Sequence, residues 1–118
     1  MKVLTIKEPW ASLILSGEKT IETRTWKTKH RGLVLLHAST SPKTILSGKI
    51  FAVAEIVDCK PMIKEHEKLA CCSIYPKAQS WFLANIKPTE LKEVKGKLGL
   101  WEFDCELRQK GELYCLFG

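Results

Sequence analysis

The sequence of 118 residues lacks several features that would place it quickly. No apolar run approaches the roughly 20 residues that a membrane-spanning helix needs. Seven glycines and five prolines are too few for a fibrous or low-complexity chain. There is no C-x-x-C pair, and the five cysteines (Cys59, Cys71, Cys72, Cys105, Cys115) are odd in number, with Cys71 and Cys72 adjacent. Such spacing suits neither a disulfide framework nor a zinc site. No metal or cofactor is therefore expected. Met1 to Ile6 leads straight into a structured-looking segment rather than a signal peptide, so reduced thiols and a cytoplasmic protein are expected. No internal repeat and no linker interrupts the chain. Its length predicts one domain spanning residues 1–118, large enough to bury a core without staples.

What is present is 45% hydrophobic residues, 27% charged residues, and a formal charge of +6. That excess favours anionic partners through long-range attraction. A Lys-rich solvated surface would give the same number, so the positions of the charges have to decide.

Val3 to Ile6 is a short β-prone run. Glu8 to Gly17 reads as a two-turn helix: Pro9 suits the first turn, Gly17 suits the left-handed end, and Trp10, Leu13, Ile14 recur on one face. Gly32 to Ser39 is continuously apolar apart from His37 and predicts a strand buried on both faces. Thr40 to Lys49 carries turn signals. Ile50 to Cys59 is a second long strand, ended by Pro61. Lys64 to Cys72 predicts a short helix, Ser80 to Asn85 a strand, Pro88 a turn, and Leu98 to Phe103 another strand. Lys110-Gly111 reads as the turn of a terminal hairpin. Five to seven short strands with one or two short helices predict an α+β fold built on a small β-barrel.

The densest chemistry lies in Gly17 to Trp26, G-E-K-T-I-E-T-R-T-W. Lys19, Glu22 and Arg24 fall within six residues. In an extended segment Glu22 and Arg24 share a face, alternating with threonines. Arginine offers a planar fork to phosphate or a base edge, and a carboxylate can accept from a base amino group. The plainer alternative is a local ion pair. Lys27, Lys29 and Arg31 form an alternating row, read as one side of a strand that tracks phosphates or guards a sheet edge. Lys95 and Lys97 are further candidates for that surface. Trp10 and Trp26 are candidate stacking platforms, with Trp10 also suited to the core and Trp26 to partial exposure. Trp81 and Trp101 read as core, and His37 as a hydrogen-bonded structural histidine.

The motif P-W-A-S-L-I-x-x-G-x-K-T-I-E-x-R-x-W, followed by R-G and an apolar strand ending H-A-S, resembles the ASCH domain family. Ser47 to Asp58, Trp81 to Asn85 and Val94 to Trp101 follow in the family's order, so the resemblance runs through about residue 104. It implies a PUA-like β-barrel and a polar cleft lined by the G-x-K-T-x-E-x-R segment. It further implies RNA or other nucleic-acid binding; together with the residue readings above, the expected ligand is RNA and the expected binding residues are Lys19, Thr20, Glu22, Arg24, Trp26, Lys27, Lys29 and Arg31. A nucleotide-like small molecule is the other ligand class. Some small relatives are amidohydrolases of acetylated cytidine nucleosides, and others are ribonucleases. The hydrolases carry a threonine nucleophile three residues after the motif lysine. Glu22 stands there in this chain, so that mechanism does not carry over intact. If the protein is an enzyme, Lys19 and Glu22 are the residues left to share proton transfer.

Overall fold

The computed structural model describes all 118 residues. The fold is mostly β, with eight strands and two short α-helices. In chain order the elements are β1 (Lys2–Ile6), α1 (Trp10–Leu15), β2 (Ile21–Arg24), β3 (Gly32–Ala38), β4 (Lys49–Pro61), α2 (Glu67–Ala70), β5 (Gln79–Glu93), β6 (Leu100–Glu102), β7 (Glu106–Lys110) and β8 (Leu113–Phe117). A single 3-10 turn, Lys64–His66, leads into α2. The hydrogen-bonded path runs β6-β1-β3-β4-β5-β8-β7, and β2 branches from it by pairing with β5. The path therefore has two ends, β6 and β7. β1 lies parallel to β3, and the chain between them supplies α1, β2 and the loop after it.

The central strands bury both faces, as their continuous apolar runs require. Leu4, Ile6, Val34, Leu36 and Ala38 point toward a core shared with Ala11 and Ile14 of α1, Phe51, Ile56 and Trp81. Val3 and Leu35, one residue out of phase, face a second core with Val53, Trp101 and Leu116. The terminal hairpin β7–β8 covers that second face. The Leu116 amide there donates to Glu90 Oε1 at 2.8 Å.

Two expectations need correcting. Pro88 is not a turn but lies inside β5, opposite Ala52. β4 and β5 are 13 and 15 residues long, and their ladder absorbs irregular residues at three register shifts. One of these shifts places Asn85 at φ 52, a left-handed conformation that asparagine tolerates. Bulges thus carry a proline and a long strand through sequence that reads as separate pieces. The second correction concerns Lys27, Lys29 and Arg31. They lie in the loop between β2 and β3, not on a strand. β2 ends where its partner does, since Arg24 pairs with Gln79, the first residue of β5. Threonine-rich sequence beyond that point has no strand to pair with, and β-propensity alone does not make one.

The helix α1 is shorter than Glu8–Gly17, but its ends are those expected. Pro9 is its N-cap and Gly17 adopts φ +88 after it. Its first turn is held by Glu8, which is buried. The Glu8 carboxylate accepts from the Ser12 amide at 2.7 Å, the Ser12 hydroxyl at 2.6 Å and the Thr44 hydroxyl at 2.6 Å. It therefore ties α1 to the loop before β4. Burial pushes the Glu8 carboxyl upward, but the hydrogen bonds from Ser12 and Thr44 outweigh it and leave the group below the usual 4.5. A lowered carboxyl stabilises the fold above its unfolded pKa, and that contribution is lost as pH falls through the folded value. Glu8→Ala is expected to cost about 2–3 kcal/mol at pH 7, since it strands hydrogen bonds to a charged acceptor. The same variant should lose less stability than the wild type between about pH 5 and 3, which denaturant titrations at each pH would read.

Candidate functional site

A cleft of about 580 Å³ opens between the end of β1, the start of α1, β2, the segment after α2 and the loop that joins β5 to β6. Its lining includes Lys7, Lys19, Arg24 and Lys97 against a single carboxylate, Glu22. Trp10 and Tyr75, both half-buried, contribute aromatic surface.

The floor is a buried charge cluster. Glu22 and Lys19 are 6% and 1% exposed. Glu22 and Arg24 are two residues apart on β2 and share a face of it, so their side chains meet. Arg24 Nε and Nη2 both donate to Glu22 Oε2, at 3.1 and 2.8 Å. Arg24 Nη2 also donates to the Thr5 carbonyl at 2.7 Å. On the other side, Lys19 Nζ lies 3.5 Å from Glu22 Oε1 and donates to the carbonyl of Ala70 at the end of α2. The cluster therefore links β1, β2 and α2. The plainer expectation of a local ion pair is met in part, but the pair is buried and lies in the cleft. Arg24 Nη1 makes no hydrogen bond to the protein, so its two N–H groups remain available.

A second chain of hydrogen bonds holds the cleft wall. Trp101 Nε1 donates to Thr5 Oγ1 at 3.0 Å, and Thr5 Oγ1 lies 3.2 Å from His37 Nδ1. His37 Nε2 lies 2.7 Å from the Val94 carbonyl. A carbonyl only accepts, so Nε2 carries a proton and donates to Val94. His37, 1% exposed, is thus a structural histidine that anchors the loop after β5. Gly96 lies flat against it: a Cβ there would stand 2.7 Å from His37 Cε1.

Of the residues singled out in the sequence, the structure brings Lys19, Glu22 and Arg24 into the cleft. Trp10 and Lys97 join them, whereas Thr20, Trp26, Lys27, Lys29 and Arg31 do not. Thr20 spends its backbone on Leu69 and Leu83 and does not line the cleft. Trp26 stands beside it, 39% exposed, its ring edge-on to Trp81 at 4.7 Å. Lys27 and Lys29 are exposed on the neighbouring loop. Arg31 folds back onto the Thr28 and His30 carbonyls and lies 3.8 Å from Asp58. Trp10 serves both of its candidate roles, packing on the main core while lining the cleft. The residues sequence reasoning missed are Lys7, Tyr75 and Cys72. Lys7 carried one usable signal, a cation between a strand and a helix. Tyr75 and Cys72 arrive only through the chain reversal after α2, where Cys71 takes φ 57.

Comparison with solved structures defines the class of fold. A crystal structure of ASCH from Zymomonas mobilis superimposes with a TM-score of 0.63 at 15% identity, covering 79% of this chain and 73% of that one. A single-substitution variant of the Zymomonas protein gives 0.64 at 12% identity, covering 87% of each chain. The fold is therefore the PUA-like ASCH fold. The ASCH domain model matches residues 4–93, and the chain belongs to the ASCH domain family. The curated relatives activating signal cointegrator 1 of Homo sapiens and of Mus musculus are each 25% identical over 134 aligned positions, covering 90% of this chain. The chain spans 23% of the length of those relatives. No helix is long and apolar enough to cross a membrane.

The charge cluster predicts an asymmetric response to mutation. Glu22→Gln keeps the shape but leaves Lys19 buried without a counter-charge, a loss expected to cost about 3 kcal/mol or more. Pairing it with Lys19→Met should recover much of that loss, because the buried charge then disappears. Urea unfolding of the three proteins would measure both steps. Gly96→Ala should cost about 1–3 kcal/mol by overpacking against the His37 ring, read as a lowered Tm.

Proposed function

We propose that the cleft binds RNA by taking in one unpaired nucleotide. The observation that carries this reading is Arg24. Three hydrogen bonds fix its guanidinium, Nη1 makes none to the protein, and the residue lines the cleft. A preorganised planar donor of this kind suits a phosphate or a base edge, and binding it costs little ordering. Lys7 and Lys97 are exposed and line the same opening, so they supply charge to the flanking phosphates. Trp10 and Tyr75 supply the apolar surface on which a base stacks. The volume is that of a small-molecule site, large enough for one nucleotide and too small for a duplex. The family is regarded as nucleic-acid-binding, which supports the same reading. Lys27 and Lys29, on the loop beside Trp26, extend the basic surface away from the cleft.

Hydrolysis of a modified nucleoside, or cleavage of RNA, is the second reading. Its support is the burial of Lys19 against Glu22 inside the cleft. Binding is favoured because these groups are already occupied. Glu22 Oε2 accepts twice from Arg24, and Lys19 donates to Ala70.

The exposed lysines allow a test that leaves the buried cluster intact. Lys7→Ser with Lys97→Ser is expected to weaken binding to a single-stranded RNA about tenfold or more in low salt. It should also lower the slope of log K against log [salt] by about one to two. Arg24→Lys should weaken binding while leaving that slope nearly unchanged, since it keeps the charge and removes the fork. Unaltered affinity in both variants would show that RNA binds elsewhere.

A further inference from the structure

The loop between β5 and β6 carries the most exposed large apolar side chain in the protein. Leu98 is 99% exposed, and it stands on the rim of the cleft between Lys97 and Gly99. A leucine in open water gains nothing from folding, so packing does not explain it. Nor is it carried on a slack segment. The Val94 amide donates to the Gly48 carbonyl at 3.0 Å, and the Val94 carbonyl accepts from His37 at 2.7 Å. Gly96 has no room for a side chain against the His37 ring. The Lys97 ammonium sits 6.0 Å from the centre of the Trp101 ring. Leu4 pairs with Leu100, and Thr5 and Lys7 beyond it also line the cleft. Gly99, at φ +69, turns the chain next to Trp26. The loop lies beyond residues 4–93, the part that matches the family model. An apolar side chain therefore stands at a cationic opening beside Lys97, on a loop tethered at Val94 and Leu100.

We propose that Leu98 is a wedge that enters a stacked RNA stem when an unpaired or mismatched nucleotide is drawn from it into the cleft; this rests on the RNA-binding reading above. The floor residues Lys19 and Glu22 are buried, so a base within a stem has to swing out to meet them. Doing so sacrifices stacking and leaves a gap, and the sacrifice is smallest where pairing is already defective. An apolar side chain filling that gap recovers buried contact, as leucines and phenylalanines do when they insert between base steps. The preferred partner is then a stem containing a mismatch or a single-nucleotide bulge, rather than a perfect duplex.

The experiment compares three labelled RNAs: a hairpin with one mismatched pair, the fully paired hairpin, and a single strand of the same composition. Each is titrated with wild type, Leu98→Ser and Leu98→Met. Wild type should favour the mismatched hairpin over the paired one. Leu98→Ser should lower the ratio of mismatched-hairpin to single-strand affinity by about tenfold, the scale of burying one leucine side chain. Leu98→Met should keep most of that ratio. Thermal melts provide the control, because a fully exposed side chain does not support the fold. A ratio unmoved by Leu98→Ser, with single-strand binding intact, overturns the wedge alone. Failure of the wild type to bind any of the three overturns the wedge together with the RNA-binding reading.

Discussion

A carboxylate with 6% exposure is sustainable only if its charge is answered on the spot, and Glu22 is answered twice. Arg24 grips one oxygen and Lys19 faces the other. Each cation is in turn held by a backbone carbonyl from a different element, Thr5 on β1 and Ala70 on α2. These contacts join segments that the β-ladders leave unconnected. β2 belongs to the sheet only through β5, and α2 belongs to no strand. The cluster closes that corner and at the same time builds the floor of the cleft. The three side chains that close this corner are thus also part of the cleft lining. One edge of Arg24 remains open because the other donors are already committed.

The opposite wall is organised around Thr5. Its carbonyl orients Arg24, while its hydroxyl passes a hydrogen-bond chain from Trp101 to His37. His37 then holds the loop that carries Lys97 and Leu98. A strand residue of no evident chemical interest therefore positions both sides of the opening.

Much of the fold was legible in the residues. Pro9 and Gly17 bracket α1, the continuous apolar run of β3 marks a strand buried on both faces, and the last hairpin turns one residue later than expected, at Gly111-Glu112. The meeting of Glu22 and Arg24 was legible because residues two apart on a strand share a face. What was not legible depended on partners distant in sequence. Pro88 sits within a strand because β4 runs long enough to carry β5 past it through bulges. The Lys27 to Arg31 row fails to become a strand because β5 begins at Gln79, so no neighbour extends beyond Arg24.

The sequence by itself determined local geometry and charge: where the chain turns, which strands are apolar on both faces, and that cations and a carboxylate crowd one short segment. Those properties follow from propensity and periodicity, which act over a few residues. Tertiary structure alone decided that Lys19 is buried rather than presented to solvent, and that Lys7, Tyr75 and Lys97 join the same opening. It also decided that Leu98 stands bare above them. The reason is physical: burial and convergence are properties of contacts between residues as far apart as Thr5 and Trp101, and no local pattern encodes which distant carbonyl will meet a given ammonium group.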